Sequence, residues 1–310
     1  MNQIKIGIPK ALLFYKYGDL WTSFFEELGC DIVISPNTNL EILDSGNKFS
    51  VDEVCLSMKI YMGHVYYLID KCDYILVPRI ICLKKGEKLC TNFSALYDLV
   101  RNTFDKKIIH YNIDVGKKED EFYAFTTMGL ELGFPYRKIV SAYRKAKENQ
   151  NRKIERRISK QKALIASSKK LKILVAGHPY NLYDDFIGKP ITRLLEENNI
   201  EIIYSDLYDQ KYLKSEVEKI SKKNYWTYNR EIIGAISHYQ GLVDGIILLT
   251  TFPCGPDSLS NEMIVRSVKV PIINIVVDDS SGEAGIVTRI ESFVDILEER
   301  NGVYYGQKDC

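Results

Sequence analysis

One pattern occurs twice in this sequence, and that repetition limits the fold more than any other feature. Residues 4–9 (IKIGIP), an amphipathic stretch near 17–29 and residues 30–35 (CDIVIS) read strand, helix, strand. Residues 171–176 (LKILVA), 190–199 (PITRLLEENN) and 200–205 (IEIIYS) read the same way. Next, residues 62–79 and 233–251 each read as a helix running into an apolar strand that starts close to an aspartate, Asp73 or Asp244. Residues 106–114 (KKIIHYNID) and 270–278 (VPIINIVVD) then supply one more strand apiece. The offset stays near ~165–170 residues, which is a long duplication rather than a solenoid repeat. Strands that are apolar throughout, alternating with helices, fit a parallel sheet covered on both faces. The expected fold is α/β: two tandem doubly wound flavodoxin-like parallel-sheet domains related by duplication. The expected division is 1–136, carrying Cys55 and Cys90; a basic helical linker over 137–170; and 171–310, carrying Cys254. Such sheets place ligands at their strand carboxyl ends, beside a topological switch point. With two related domains, the site is expected between them.

The bulk properties narrow the function by exclusion. A net charge of +1 gives no general pull toward nucleic acid or a membrane surface. No apolar run approaches the ~18–20 residues of a membrane span. The first residues, MNQIKIGIPK, lack the long apolar segment of a secretory signal, so the cytoplasm is the expected compartment. The 137–170 segment is strongly basic with helical spacing; a solvated face is the plain reading and an anionic partner the sharper one.

The chain has seven cysteines, at 30, 55, 72, 82, 90, 254 and 310. A reducing compartment disfavours disulfides, leaving metal binding or inert burial. No CxxC pair occurs, so a metal site would have to be built from distant loops. The stretch FPCGPDS (252–258) directly follows the apolar run VDGIILLTT. Pro253 and Gly255 set Cys254 in a rigid turn at a strand's carboxyl end, where it can face a bound object. Cys55, in DEVCLSMK, precedes a helical stretch whose free N–H groups favour a thiolate. Cys82 and Cys90 lie in the loop VPRIICLKKGEKLC, after the strand equivalent to the one before Cys254. Three thiolates from three loops, with a fourth position open, suit an iron–sulfur cubane or a zinc ion. Buried inert cysteines are the plain alternative.

The segments LLFYKYGDLWTSFFEELGCDIVISPNT, DEVCLSMK…GHV, DYILVPRI…LCTNF, GHPYNLYDD, FPCGPDS and SSGEAGIVTRIE resemble, in this order, the CoA-enzyme-activase-associated, 2-hydroxyglutaryl-CoA dehydratase-like iron–sulfur proteins of anaerobes. The resemblance covers nearly the whole chain. It implies an oxygen-sensitive [4Fe-4S] cluster on Cys55, Cys90 and Cys254, with low-potential electrons delivered by an ATP-hydrolysing activase. It also implies a small-molecule substrate, in dehydratases a 2-hydroxyacyl-CoA, and pairing with an identical or related subunit as a homo- or heterodimer. The chain departs from the family at Ser57, where proline is usual, at Cys82, where serine is usual, and at CTNF, where CPKF is usual. Cys82 is thus a candidate extra ligand, or part of a larger double-cubane cluster. The activase ATPase domains and a Walker GxxxxGK[ST] motif are both missing, so any ATP hydrolysis falls to another chain. The alternatives are a non-catalytic cluster-bearing electron carrier or assembly partner, and a zinc-bound or metal-free ligand-binding protein.

The remaining candidates are acid–base groups. His64 lies on the helix after Cys55, His178 follows a strand end in GHPYNLYDD, and Glu283 opens a helix in SSGEAG, where capping is the plain reading. Lys59 and Arg79 are candidates to offset the charge of an anionic cluster. Cys30 and Cys72 read as packing residues, and Cys310 as exposed.

Overall fold

The structure is a computed structural model that describes residues 3–221, 223–280, 283–300 and 302. The first half runs β1 (Lys5–Ile8), α1 (Phe14–Glu27), β2 (Asp31–Ile34), α2 (Leu40–Lys48), α3 (Leu56–Leu68), β3 (Tyr74–Cys82), α4 (Thr91–Thr103), β4 (Ile108–Asp114) and α5 (Glu121–Glu131). A long helix, α6 (Tyr136–Ser167), leads to the second half. There follow β5 (Lys172–Ala176), the short α7 (Pro179–Leu182), α8 (Lys189–Glu197), β6 (Glu201–Tyr204), α9 (Leu213–Ile220), α10 (Thr227–Tyr239), β7 (Gly245–Thr251), α11 (Gly255–Ser267), β8 (Ile272–Val277) and α12 (Glu283–Arg300).

Both halves form a four-stranded parallel sheet, ordered β2-β1-β3-β4 and β6-β5-β7-β8. The two orders are the same order, so the expected tandem flavodoxin-like domains are present. The central strands explain the sequence pattern. Every residue of β7 is buried, because helices cover both of its faces. The aspartates noted ahead of β3 and β7 have matching jobs: Asp73 accepts from the Lys5 amide and Asp244 from the Lys172 amide, each at 2.7 Å. Each carboxylate thus secures the first amide of the adjacent central strand.

The basic helix is not a free solvated rod. It covers Tyr136–Ser167 and buries Ile139, Ala142, Ala146 and Gln150 along one stripe. That stripe lies on α1, with Lys145 paired to Glu27 at 2.7 Å and Asn149 donating to Ser23 at 2.9 Å. Near its far end, Gln161 reaches the second sheet. Its amide oxygen accepts from the Tyr204 amide at 2.8 Å, and its Nε2 donates to the Tyr204 and Leu207 carbonyls. The helix therefore braces both sheets, with its charges spread along the outward face.

Helices α2 and α3 touch backbone to backbone. A Cβ on Gly46 would stand 1.9 Å from the Lys59 carbonyl oxygen, and one on Gly63 would stand 1.9 Å from that of Ile42. Only glycine allows this approach, and it fixes the path of the helix that begins at Cys55. Gly63→Ala should therefore destabilise the fold by about 1–3 kcal/mol or more. Urea denaturation measures this, and a midpoint equal to that of the parent would refute the close-approach argument.

Candidate functional site

The sheets meet with their strand carboxyl ends facing a common cavity. Its wall carries Cys55, Cys90 and Cys254 together with His178, Tyr180 and Asp257. The cavity has about 520 Å³ of atom-free space, its open mouth included. Leu12, Met58, Leu89, Phe93 and Trp226 make much of the remaining wall apolar.

Each of the three cysteines is the residue that begins a helix. Cys55 precedes α3, Cys90 precedes α4 and Cys254 precedes α11, and none makes a side-chain capping hydrogen bond. The positive ends of three helices therefore converge where the thiols stand. Asn92, in the first turn of α4, points its Nδ2 at the Cys55 sulfur across 3.8 Å. Two backbone connections fix the spacing between the halves. The Leu56 amide donates to the Phe252 carbonyl at 3.0 Å, tying the Cys55 loop to the Cys254 loop. The Lys88 amide donates to the Tyr225 carbonyl at 2.8 Å and the Thr227 amide to the Lys88 carbonyl at 2.9 Å, tying the Cys90 loop to the start of α10.

The thiols are held in a state that resists ionisation. Burial pushes the Cys55 thiol up to about 11, against the pull of the Met58 amide and Asn92. Burial also raises Cys90, and burial followed by the Asp257 charge raises Cys254. Tyr180 lines the same wall. Burial, then the Asp257 charge, raises its phenol. Among the described residues, no three His, Cys, Asp or Glu side chains stand close enough to hold one metal ion. The sulfurs border the space without closing on a point within it.

Asp257 and His178 form the polar side of the cavity. Burial alone would raise the Asp257 carboxyl, but His178 and hydrogen bonds from His178, Thr250 and Asn229 hold it at about 2. His178 Nε2 lies 2.8 Å from Asp257 Oδ1, and the imidazole stacks on Tyr180 at 4.9 Å.

The other sequence candidates lie elsewhere. Cys82, at the end of β3, donates to the carbonyls of Lys84 and Glu87 and is not part of the cavity wall. Lys59 pairs with Asp279 at 2.7 Å and Arg79 with Asp98 at 3.8 Å, and neither lines the cavity. Cys30 and Cys72 are buried, Cys72 donating to the Leu68 carbonyl. Glu283 opens α12, but its side chain, like Cys310, lies outside the described residues.

His64 belongs to a separate buried relay between the halves. The Lys10 amide donates to Ser35 Oγ, which stands 2.8 Å from His64 Nδ1. His64 Nε2 is 3.0 Å from Thr38 Oγ1, and the Thr38 hydroxyl donates to Asp184 Oδ2 at 2.5 Å. Thr38 spends its hydrogen on Asp184, so it accepts from Nε2; Nδ1 then accepts from Ser35. Every link is satisfied by a neutral ring.

Residues 5–207 match the family profile described as CoA enzyme activase uncharacterised domain (DUF2229). The matched span includes Cys55, Cys90 and His178 and stops before Cys254. No curated protein matches the chain. Among solved structures, the chain is similar to the laminin-binding protein Lbp of Streptococcus pyogenes, at 10% identity and a TM-score of 0.28, over 96% of this chain and 99% of that one. It is also similar to a sugar transporter from Clostridium phytofermentans, at 11% identity and a TM-score of 0.20, over 96% and 94%. Likeness at those scores carries no argument. No described helix is long and apolar enough to cross a membrane.

The relay around His64 gives a pH signature. Burial, then the Lys10 charge, lowers the folded pKa from 6.5 to about 3, so between those values the unfolded chain holds the extra proton. Stability should fall as pH drops through that window, by up to about 1.4 kcal/mol per pH unit. His64→Gln should flatten this part of the curve. Urea midpoints between neutral pH and the acid end of the window test it, and an unchanged slope would remove His64 as the cause.

Proposed function

The chain belongs to the CoA enzyme activase uncharacterised domain family, and on that premise we propose that it is an oxygen-sensitive iron–sulfur protein whose cluster is held by Cys55, Cys90 and Cys254. It would receive low-potential electrons from a separate ATP-hydrolysing activase and pass them to a small molecule in the interdomain cavity, a 2-hydroxyacyl-CoA being one candidate. The single observation behind this reading is that three cysteines, far apart in sequence, each begin a helix on the wall of one cavity.

The donor set fits the group. Thiolates bind iron, and an all-thiolate cluster carries negative charge that three helix N-termini and the Asn92 amide are placed to offset. The apolar wall limits water near the sulfurs, which tunes a cluster's potential. Because the sulfurs do not close on one point, the bound group must span the space between them. The thiols must also give up protons that burial favours, so loading should be promoted by alkaline conditions. When bound, a cluster of this kind supplies one-electron chemistry. The chain supplies the cavity, the thiols and the buried Asp257–His178 pair beside them.

Anaerobic purification with iron and sulfide quantitation and EPR tests the reading. The expected result is a brown protein containing both elements, and Cys254→Ser should lose most of the iron while far-ultraviolet circular dichroism stays unchanged. A colourless protein free of iron and sulfide would reject the reading. Turnover of an acyl-CoA with activase and reductant marks a catalyst, whereas reduction without turnover marks an electron carrier.

A further inference from the structure

The following inference rests on the cluster reading for its oxidant, and otherwise on a file of rings that runs from the cavity through the first domain. Tyr228 lines the cavity along with the thiols. Its hydroxyl stands 3.2 Å from that of Tyr17 on α1. Tyr17 and Trp21 are one helical turn apart and share a face, with ring centroids 5.8 Å apart. Tyr111 of β4 meets Trp21 edge-on at 5.4 Å and Tyr17 at 6.1 Å. Phe125 of α5 stands 5.4 Å beyond Tyr111 and 5.1 Å from Tyr143 of α6, bridging the two. Tyr143 is half-buried, and its hydroxyl donates to Glu121 Oε1 at 2.8 Å. The file thus opens at the cavity and ends at the protein surface.

Packing alone does not account for the choice of these residues. Tyr17, Trp21, Tyr111 and Tyr228 are all buried. Neither the Trp21 Nε1 nor the Tyr111 hydroxyl has a hydrogen-bond partner. Burial raises the Tyr111 phenol, and the neighbouring Trp21 N–H offsets only a little of that rise. Phenylalanine would fill both places without stranding a polar atom, and a stranded polar atom costs stability. What tyrosine and tryptophan add is the capacity to give up one electron. None of these rings can take on a low-potential electron, so the file cannot feed a cluster. It can only drain an oxidising equivalent.

We propose that the file from Tyr228 to Tyr143 carries oxidising equivalents out of the cavity and so spares its thiols. The oxidant is a hydroxyl radical, the product of peroxide and ferrous iron. It takes an electron from Tyr228 and a proton from the solvent, and becomes water. The electron is replaced from Tyr17, then from Trp21 or Tyr111, and last from Tyr143. As Tyr143 loses its electron, its phenolic proton passes to the Glu121 carboxylate. In sum, a hydroxyl radical, a proton, Tyr143 and ionised Glu121 become water, a neutral tyrosyl radical and protonated Glu121. Among the phenols of the file, that of Tyr143 is the one bonded to a carboxylate, so the radical comes to rest there. A soluble thiol can then return a hydrogen atom to it. The competing fate, oxidation of Cys55, Cys90 or Cys254 to a sulfonic acid, is irreversible.

The test uses the full protein, cluster-loaded, reduced and anaerobic, with its iron and sulfide measured. It is mixed with hydrogen peroxide and freeze-quenched for EPR. A tyrosyl radical should appear, and ring-deuterated tyrosine should narrow its signal. Tyr143→Phe should remove most of that signal and raise sulfinic and sulfonic acid on the three thiols severalfold, as read by mass spectrometry. Tyr111→Phe, at the ring through which both inner routes pass, should do the same. Its urea midpoint should stay at or above that of the parent, because the lost hydroxyl had no partner. Tyr97→Phe, whose ring packs on His110 outside the file, should change neither readout. No tyrosyl radical in iron-loaded parent protein overturns the inference while leaving the cluster reading intact. So does a radical signal or thiol oxidation that Tyr143→Phe and Tyr111→Phe leave unchanged, or that Tyr97→Phe alters as much as they do. Parent protein without iron and sulfide overturns both readings together.

Discussion

The backbone hydrogen bond from the Leu56 amide to the Phe252 carbonyl joins the two halves of this protein at the point where two of its cysteine loops meet. Leu56 follows Cys55 and Phe252 lies two residues before Cys254, so the bond holds the two cysteine loops together. Nearby, the Ser57 hydroxyl donates to Asn181 Oδ1 and stands 3.1 Å from Thr251 Oγ1, bringing strand ends of the second sheet into the same junction. Side chains can rotate away from a site; peptide groups paired across two domains cannot do so without moving a helix or a strand. The cavity is therefore a property of the domain packing, and its wall is placed by main chain rather than by long flexible side chains. Proline at position 57 would lack the hydroxyl that makes both contacts, so Ser57 has a local structural use at this junction.

Much of the architecture was legible because burial imposes a periodicity. Strands such as GIILLTT are apolar at every position since helices cover both faces, and that alone separates them from surface strands. Of the three cysteines at helix starts, only Cys55 was legible as one: Cys90 read as a loop residue and Cys254 as part of a turn, whereas Pro256 in fact sits in the first turn of α11, where proline is tolerated. The role of α6 was hidden. Its buried stripe of Ile139, Ala142 and Ala146 is small and sparse, and many lysines and arginines between those positions dominate any reading of its character. Packing against α1 needs only a narrow stripe, which composition cannot reveal.

The polar half of the site was harder to find for another reason. Asp257 follows a proline in a loop-like stretch and looks like any surface acid. What makes it buried and ionised is the meeting of His178, Asn229 and Thr250, which come from three separate elements. None of those partners is near it in sequence except Thr250. Asn92 and Tyr180 were missed similarly, each two residues after one already singled out and turned to the cavity only by the helix whose first turn it occupies. His64, which looked like a companion of Cys55, faces the other way and serves the join between the domains.

Gln161 has a consequence beyond bracing. Strand β6 is the rim of its sheet, and the rim of a sheet is where a foreign strand can add itself. The amide of Gln161 imitates a peptide group and occupies both the N–H and the C=O of Tyr204, the last residue of that strand. One side chain, carried in by a long helix, thus closes the open hydrogen-bonding row at its end and discourages chain-to-chain aggregation through that edge.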